Sequence, residues 1–170
     1  MDTPTYRPAA VPRDVLAGLR ARDDAGAVPR PWPRDEDGLP LRCCLRRSRA
    51  GERIALVSYA PLRRWAARTG ATPGAYDEVG PVFVHLGPCA GPDPGAGHPF
   101  TGTGAARVVR RYTAGGAIAG GELLALPRDS DAARAALADA VEKAFADPET
   151  ALVQVRAVEH GCFLYEVSRP

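Results

Sequence analysis

Apolar residues along this chain keep two different periods. Over Ser130–Ala146 they fall on Leu137, Val141, Ala144 and Phe145, the i, i+4, i+7, i+8 stripe of a helix with one buried face. Asp129 or Ser130 can cap its first turn, and Pro148 ends it. Residues 14–22 carry a shorter helical pattern, with Val15, Leu16 and Leu19 on one face. Elsewhere the period is two. Leu41, Cys43 and Leu45 alternate with Arg42, Cys44 and Arg46, which predicts a strand over 42–47. A second strand over 53–59 would pair with it across the turn at 48–51. Residues 61–69 predict a helical turn that stops before Gly70, and 81–86 a short apolar strand. Two further hairpins are predicted: 107–113 with 117–126 across Ala114, Gly115 and Gly116, and 152–158 with 162–167 around Glu159, His160 and Gly161.

Strands joined by turns more often than by helices predict an α+β fold. Its form would be a mainly antiparallel sheet built from hairpins, with the helix at 130–146 packed on it. There is no internal repeat and no sign of a second domain, so 1–170 is expected to be one unit. Within it, 1–37 is a proline-rich covering segment and 38–170 the core. Pro29, Pro31 and Pro33 keep the covering segment extended, and Trp32 gives it one packing point. The stretch 87–105 holds six glycines and four prolines and is the longest irregular segment, the kind of loop that often carries function.

Charge and composition narrow the partners. Twenty-two basic against 20 acidic residues leave a net charge of +2, too little for a dedicated nucleic-acid binder. No run of about 18 apolar residues is present, so no membrane span is expected, and the first 30 residues lack a secretory pattern. Four cysteines in such a chain are expected to be reduced, which fits a cytoplasmic location. All but one of the basic residues are arginine and there is no asparagine, the bias of a GC-rich bacterial genome. Abundant arginine is therefore weak grounds for anion binding. The glycine-rich fingerprints of nucleotide sites and the serine elbow of hydrolases are missing, so no nucleotide cofactor is expected.

Strand alternation sorts the reactive side chains. Cys43 would face the core with Leu41 and Leu45, and Cys44 the opposite face between Arg42 and Arg46, where neighbouring guanidinium groups favour the thiolate. On a regular strand the two thiols cannot meet in one site. His85 ends its strand on the face of Phe83, Cys89 follows four residues later, and Cys162 opens the last strand. Cys44, His85, Cys89 and Cys162 thus make a Cys3His set suited to zinc or iron, although no Cys-x2-Cys pair is present. Arg42, Arg110 and Arg156 lie on predicted strands, with Tyr112 on the face of Arg110, and would form an anion pocket if those faces coincide. Each feature also has a plainer reading: a buried inert thiol, a histidine satisfied at a strand end, and arginines on a wet sheet face.

Arg42-Cys43-Cys44-Leu45-Arg46, Gly51-Glu52 and Tyr59-x-Pro61, followed by Gly80-Pro-Val-Phe-Val-His85 with Pro88-Cys89, resemble a bacterial family catalogued as domain of unknown function 1203. Val108-Val109-Arg110-x-Tyr112, Val155-Arg156 and Gly161-Cys162-Phe163 extend the resemblance from about residue 38 to the end. It supplies a pattern without a reaction. The pattern implies roles for Arg42, Cys44, His85, Cys89, Arg110, Arg156 and Cys162. This chain departs from it at Leu41, where the family tends to carry cysteine, and at Gln154 and Ala157, where it tends to carry histidine and asparagine.

Three functions follow. The first is a small enzyme acting on an anionic or carbonyl metabolite, with His85 as acid or base, Cys44 or Cys162 as nucleophile or acid, and Arg42, Arg110, Arg156 and Tyr112 holding substrate. The second is a metal-binding protein using the Cys3His set. The third is a ligand-binding or interaction module without catalysis, for which a homodimer is conceivable.

Overall fold

The computed structural model describes residues 6–170; the first five residues lie outside the description. The class is α+β, with three helices and two mostly antiparallel four-stranded sheets. In chain order the elements are α1 (Arg13–Ala21), β1 (Pro40–Leu41), β2 (Arg46–Arg47), β3 (Ile54–Tyr59), α2 (Pro61–Thr69), β4 (Gly80–His85), β5 (Ala106–Tyr112), β6 (Ile118–Ala125), α3 (Ser130–Ala146), β7 (Leu152–Ala157) and β8 (Phe163–Ser168).

The first sheet runs β2-β1-β4-β3 and the second β6-β5-β7-β8. The second follows the predicted hairpins, β5 with β6 and β7 with β8, with β5 and β7 antiparallel between them. Leu137, Val141 and Phe145 of α3 bury against Val109, Val153 and Tyr165 of this sheet, and Asp129 Oδ1 accepts the Ala132 N–H at 2.8 Å to cap the helix.

The first sheet corrects the expected pairing. Residues 42–47 are not one strand, since only Arg46–Arg47 are extended, and they do not form a hairpin with 53–59. β1 and β2 are two residues each and pair with one another around a four-residue turn at 42–45, while β3 pairs with β4. Leu45 closes the turn at φ 57°, a left-handed conformation that costs a non-glycine residue about 1–3 kcal/mol. β1 runs parallel to β4, where Arg42 N–H donates to Phe83 O at 2.9 Å.

Alternation on β3 and β4 gives this sheet two different faces. Ala55, Val57, Val82 and Val84 share one face and pack, with Val15, Leu16 and Leu19 of α1, into a single apolar cluster. Leu56 and Phe83 share the other face, where Leu56 is 40% exposed. Helix α1 is therefore part of the core. Trp32 packs against the same cluster, edge-on to Phe83 with ring centroids 5.0 Å apart. Among the described residues no helix is long and apolar enough to cross a membrane.

Candidate metal centre

The turn at 42–45 delivers both neighbouring thiols to one point. Because the chain leaves the extended conformation at Arg42, the two-residue alternation fails there, and Cys43 and Cys44 both turn toward β4. Arg42 O accepts the Val11 N–H at 3.0 Å, and the His85 N–H donates to Cys43 Sγ at 3.2 Å. The thiol sulfur thereby satisfies the backbone donor at the end of β4.

His85 Nδ1 lies 3.2 Å from Cys43 Sγ and 3.9 Å from Cys44 Sγ, and the two sulfurs are 4.0 Å apart. Cys89, carried back over Gly87 and Pro88, completes a group whose ligand atoms all lie within 4.8 Å of one another. A zinc tetrahedron with sulfur at ~2.3 Å and nitrogen at ~2.0–2.1 Å has edges of roughly 3.5–3.8 Å. The thiols and the imidazole are therefore spaced to share one ion. All four cysteines are free thiols.

The surrounding groups set the protonation states. Glu52 binds Arg46 through both carboxylate oxygens and accepts the Arg49 N–H at 2.7 Å; the Arg46 contact, first among these, holds its pKa down to about 2. An ionised carboxylate only accepts, so His85 Nε2, 3.2 Å from Glu52 Oε1, carries the proton. In neutral imidazole that leaves the lone pair on Nδ1, pointing at the thiols. Between the sulfurs, the hydrogen bond from Cys43 depresses the pKa of Cys44 to about 6, helped by the Arg46 N–H and by the charge of Arg46. The same contact, together with burial, pushes the Cys43 thiol up. A cleft of about 380 Å³ lined by Cys44, Glu52, His85 and Cys89 opens onto this group.

Of the metal set expected from the sequence, Cys44, His85 and Cys89 come together. The fourth position is taken by Cys43, which had been assigned to the core. Cys162 stands elsewhere, its Sγ 3.7 Å from His160 O, in the wall of a different cavity with Arg42. Arg42 is 3% exposed and its Nε donates to Phe163 O at 2.8 Å, with Nη1 on Pro40 O, so it ties β1 to β8. Arg110 and Arg156 do share a site, but with a protein carboxylate: each lies 3.1 Å from an oxygen of Glu78. Tyr112 joins them, its hydroxyl 3.3 Å from Arg110 Nη1 and donating to Gln154 Oε1 at 3.2 Å. The three arginines thus divide between two places.

Sequence reasoning missed Cys43 as a site residue, and Glu52 as the partner of His85. The signal for Cys43 was the Cys-Cys pair itself, two metal-ligating side chains side by side. Glu52 gave no signal beyond its place beside Gly51.

The family described as Protein of unknown function (DUF1203) matches residues 38–169. No curated protein and no solved structure matches the chain.

Proposed function

The chain belongs to the DUF1203 family, and from the geometry of its site we propose that it is a metal-binding protein holding one zinc ion through Cys43, Cys44, His85 and Cys89. The observation that carries this reading is the convergence of three thiols and one imidazole nitrogen within 4.8 Å. Thiolates favour zinc among the abundant divalent ions, and a mononuclear iron ion is the second candidate. Four protein ligands fill a tetrahedral shell, as structural zinc sites do. Such an ion would cross-link the turn at 42–45, the end of β4 and the loop after it. His85 would bind through Nδ1 while Glu52 holds Nε2, the carboxylate–histidine arrangement that commonly supports zinc ligands.

The test is metal analysis of protein purified without chelator, followed by cobalt(II) substitution. One equivalent of zinc is expected, and the cobalt form should show the intense visible bands of a tetrahedral thiolate site. C43S and C89S should each lose the metal, whereas C162S should retain it. Protein that binds neither zinc nor cobalt at micromolar concentration would sink the reading.

A second reading is favoured by the depressed pKa of Cys44 and its place in a cleft beside His85. There the thiolate would act as a nucleophile on a small carbonyl or anionic metabolite, with His85 moving the proton. Metal-free protein with one fast-reacting thiol at Cys44 would support this in place of the first.

A further inference from the structure

A second cavity, of about 610 Å³, lies where the two sheets face one another. The exposed face of the first sheet supplies Leu56 and Phe83, and the second sheet supplies Arg107 and Leu164. Phe100, from the irregular 87–105 stretch, completes an apolar wall. Its size is that of a small-molecule site, typically 300–1,000 Å³.

Thr103, Glu159, His160 and Cys162 also reach this wall, but its buried charges are cationic. Arg42, Arg47 and Arg107 all line it, and Arg42 and Arg107 are 3% and 4% exposed. Buried guanidinium groups are rare without an anionic partner. Here Arg42 spends its Nε and Nη1 on backbone carbonyls. Arg107 donates Nη1 to Ala106 O and Nη2 to Phe100 O, and its Nε is buried with no partner among the described residues. The nearest carboxylate to Arg107 is Glu159, 3.7 Å away and about half exposed at the rim. Burial pulls the pKa of Arg42 down to about 10 and lowers that of Arg107, yet both stay charged at neutral pH. Three positive charges therefore line an apolar cavity against one marginal negative charge.

We propose that this cavity binds a small monocarboxylate with an apolar tail, its carboxylate set against Arg107 and its tail along Leu56, Phe83 and Phe100. A carboxylate in the cavity offsets the charge surplus and accepts from the guanidinium N–H groups that Arg107 does not spend on Ala106 O and Phe100 O. The tail covers the sheet face that α1 leaves open. This site is separate from the metal centre and needs none of its ligands.

The probe is octanoate, with octanol and octylamine as its uncharged and cationic counterparts, each titrated calorimetrically into the full-length protein. Octanoate is expected to bind at least ~10-fold more tightly than either, a difference of about 1.4 kcal/mol. R107M should weaken octanoate by a similar factor while leaving octanol binding and metal content as in the wild type. Leu56 is 40% exposed on the open sheet face, so L56W should fold normally and fill the tail site, abolishing octanoate binding. Equal binding of the three probes, no octanoate binding at millimolar concentration, or wild-type binding by L56W would each overturn the proposal.

Discussion

His85 is held from both sides: Nε2 is 3.2 Å from Glu52 Oε1, and Nδ1 is 3.2 Å from Cys43 Sγ. Glu52 is itself fixed by Arg46 and by the Arg49 N–H, so the carboxylate positions the imidazole before any ion arrives. Partners of this kind are typically worth about 10–100-fold in metal affinity. E52Q is expected to weaken zinc binding by that factor and leave the stoichiometry at one. Competition against a chromophoric zinc chelator measures it, and unchanged affinity would show that Glu52 does not orient the ligand.

The two neighbouring thiols should behave as opposites in metal-free protein. Cys44 is depressed to about 6 by the hydrogen bond from Cys43, while Cys43 is pushed up by the same contact and by burial. At pH 7 the thiolate is on Cys44. Its alkylation by iodoacetamide should rise through pH 6 and level off above neutrality, whereas an ordinary cysteine, with a pKa of about 8.5, keeps gaining reactivity to higher pH. Peptide mapping across that range should find Cys44 labelled first and Cys43 last, with zinc protecting both. A Cys44 profile centred near 8.5 would contradict the assignment.

What could be read in advance was what depends on near neighbours. The stripe Leu137, Val141, Ala144 and Phe145 is buried in α3, and the turn before Ile118 joins β5 to β6, because period and turn chemistry are local properties. The division into two sheets was hidden, since β4 chooses β1 and β3 through contacts distant in sequence. At the site, His85, Cys44 and Cys89 were legible as reactive types at strand ends and in a loop. Cys43 was lost because alternation presumes an extended chain, and with Leu45 at φ 57° the chain is not extended there. Arg42 was drawn with Arg110 and Arg156 by residue type alone, whereas its burial against Phe163 O rests on a contact across 121 residues of chain.

Helix α1 lies outside the region matched by the family yet enters the core of the first sheet. Leu19 is fully buried there, beside Val15 and Leu16. L19A is expected to cost about 2–5 kcal/mol, the range for a leucine whose site cannot collapse around the lost atoms. Urea unfolding should show a lower midpoint with an unchanged slope. A loss under about 1 kcal/mol, far short of that range, would mean that the segment merely covers the core.

His98 gives the stability a pH dependence. It is 4% exposed, its Nδ1 lies 2.9 Å from the Tyr165 hydroxyl, and burial lowers its pKa to about 4. In the unfolded chain its pKa returns to about 6.5. Above that value both states are neutral at this position and the full stability is present. As pH falls below 6.5 the unfolded chain takes up a proton that the folded one refuses until about pH 4, so stability is lost across that window. The loss approaches about 3 kcal/mol at its lower end. Buried Glu166, whose pKa is raised by burial, acts in the opposite sense, but equally in wild type and in a His98 variant. H98Q should therefore narrow the fall in urea midpoint between pH 7.5 and 4.5, and the difference between the two proteins isolates the histidine. Parallel pH profiles for wild type and H98Q would show that His98 is protonated as readily folded as unfolded.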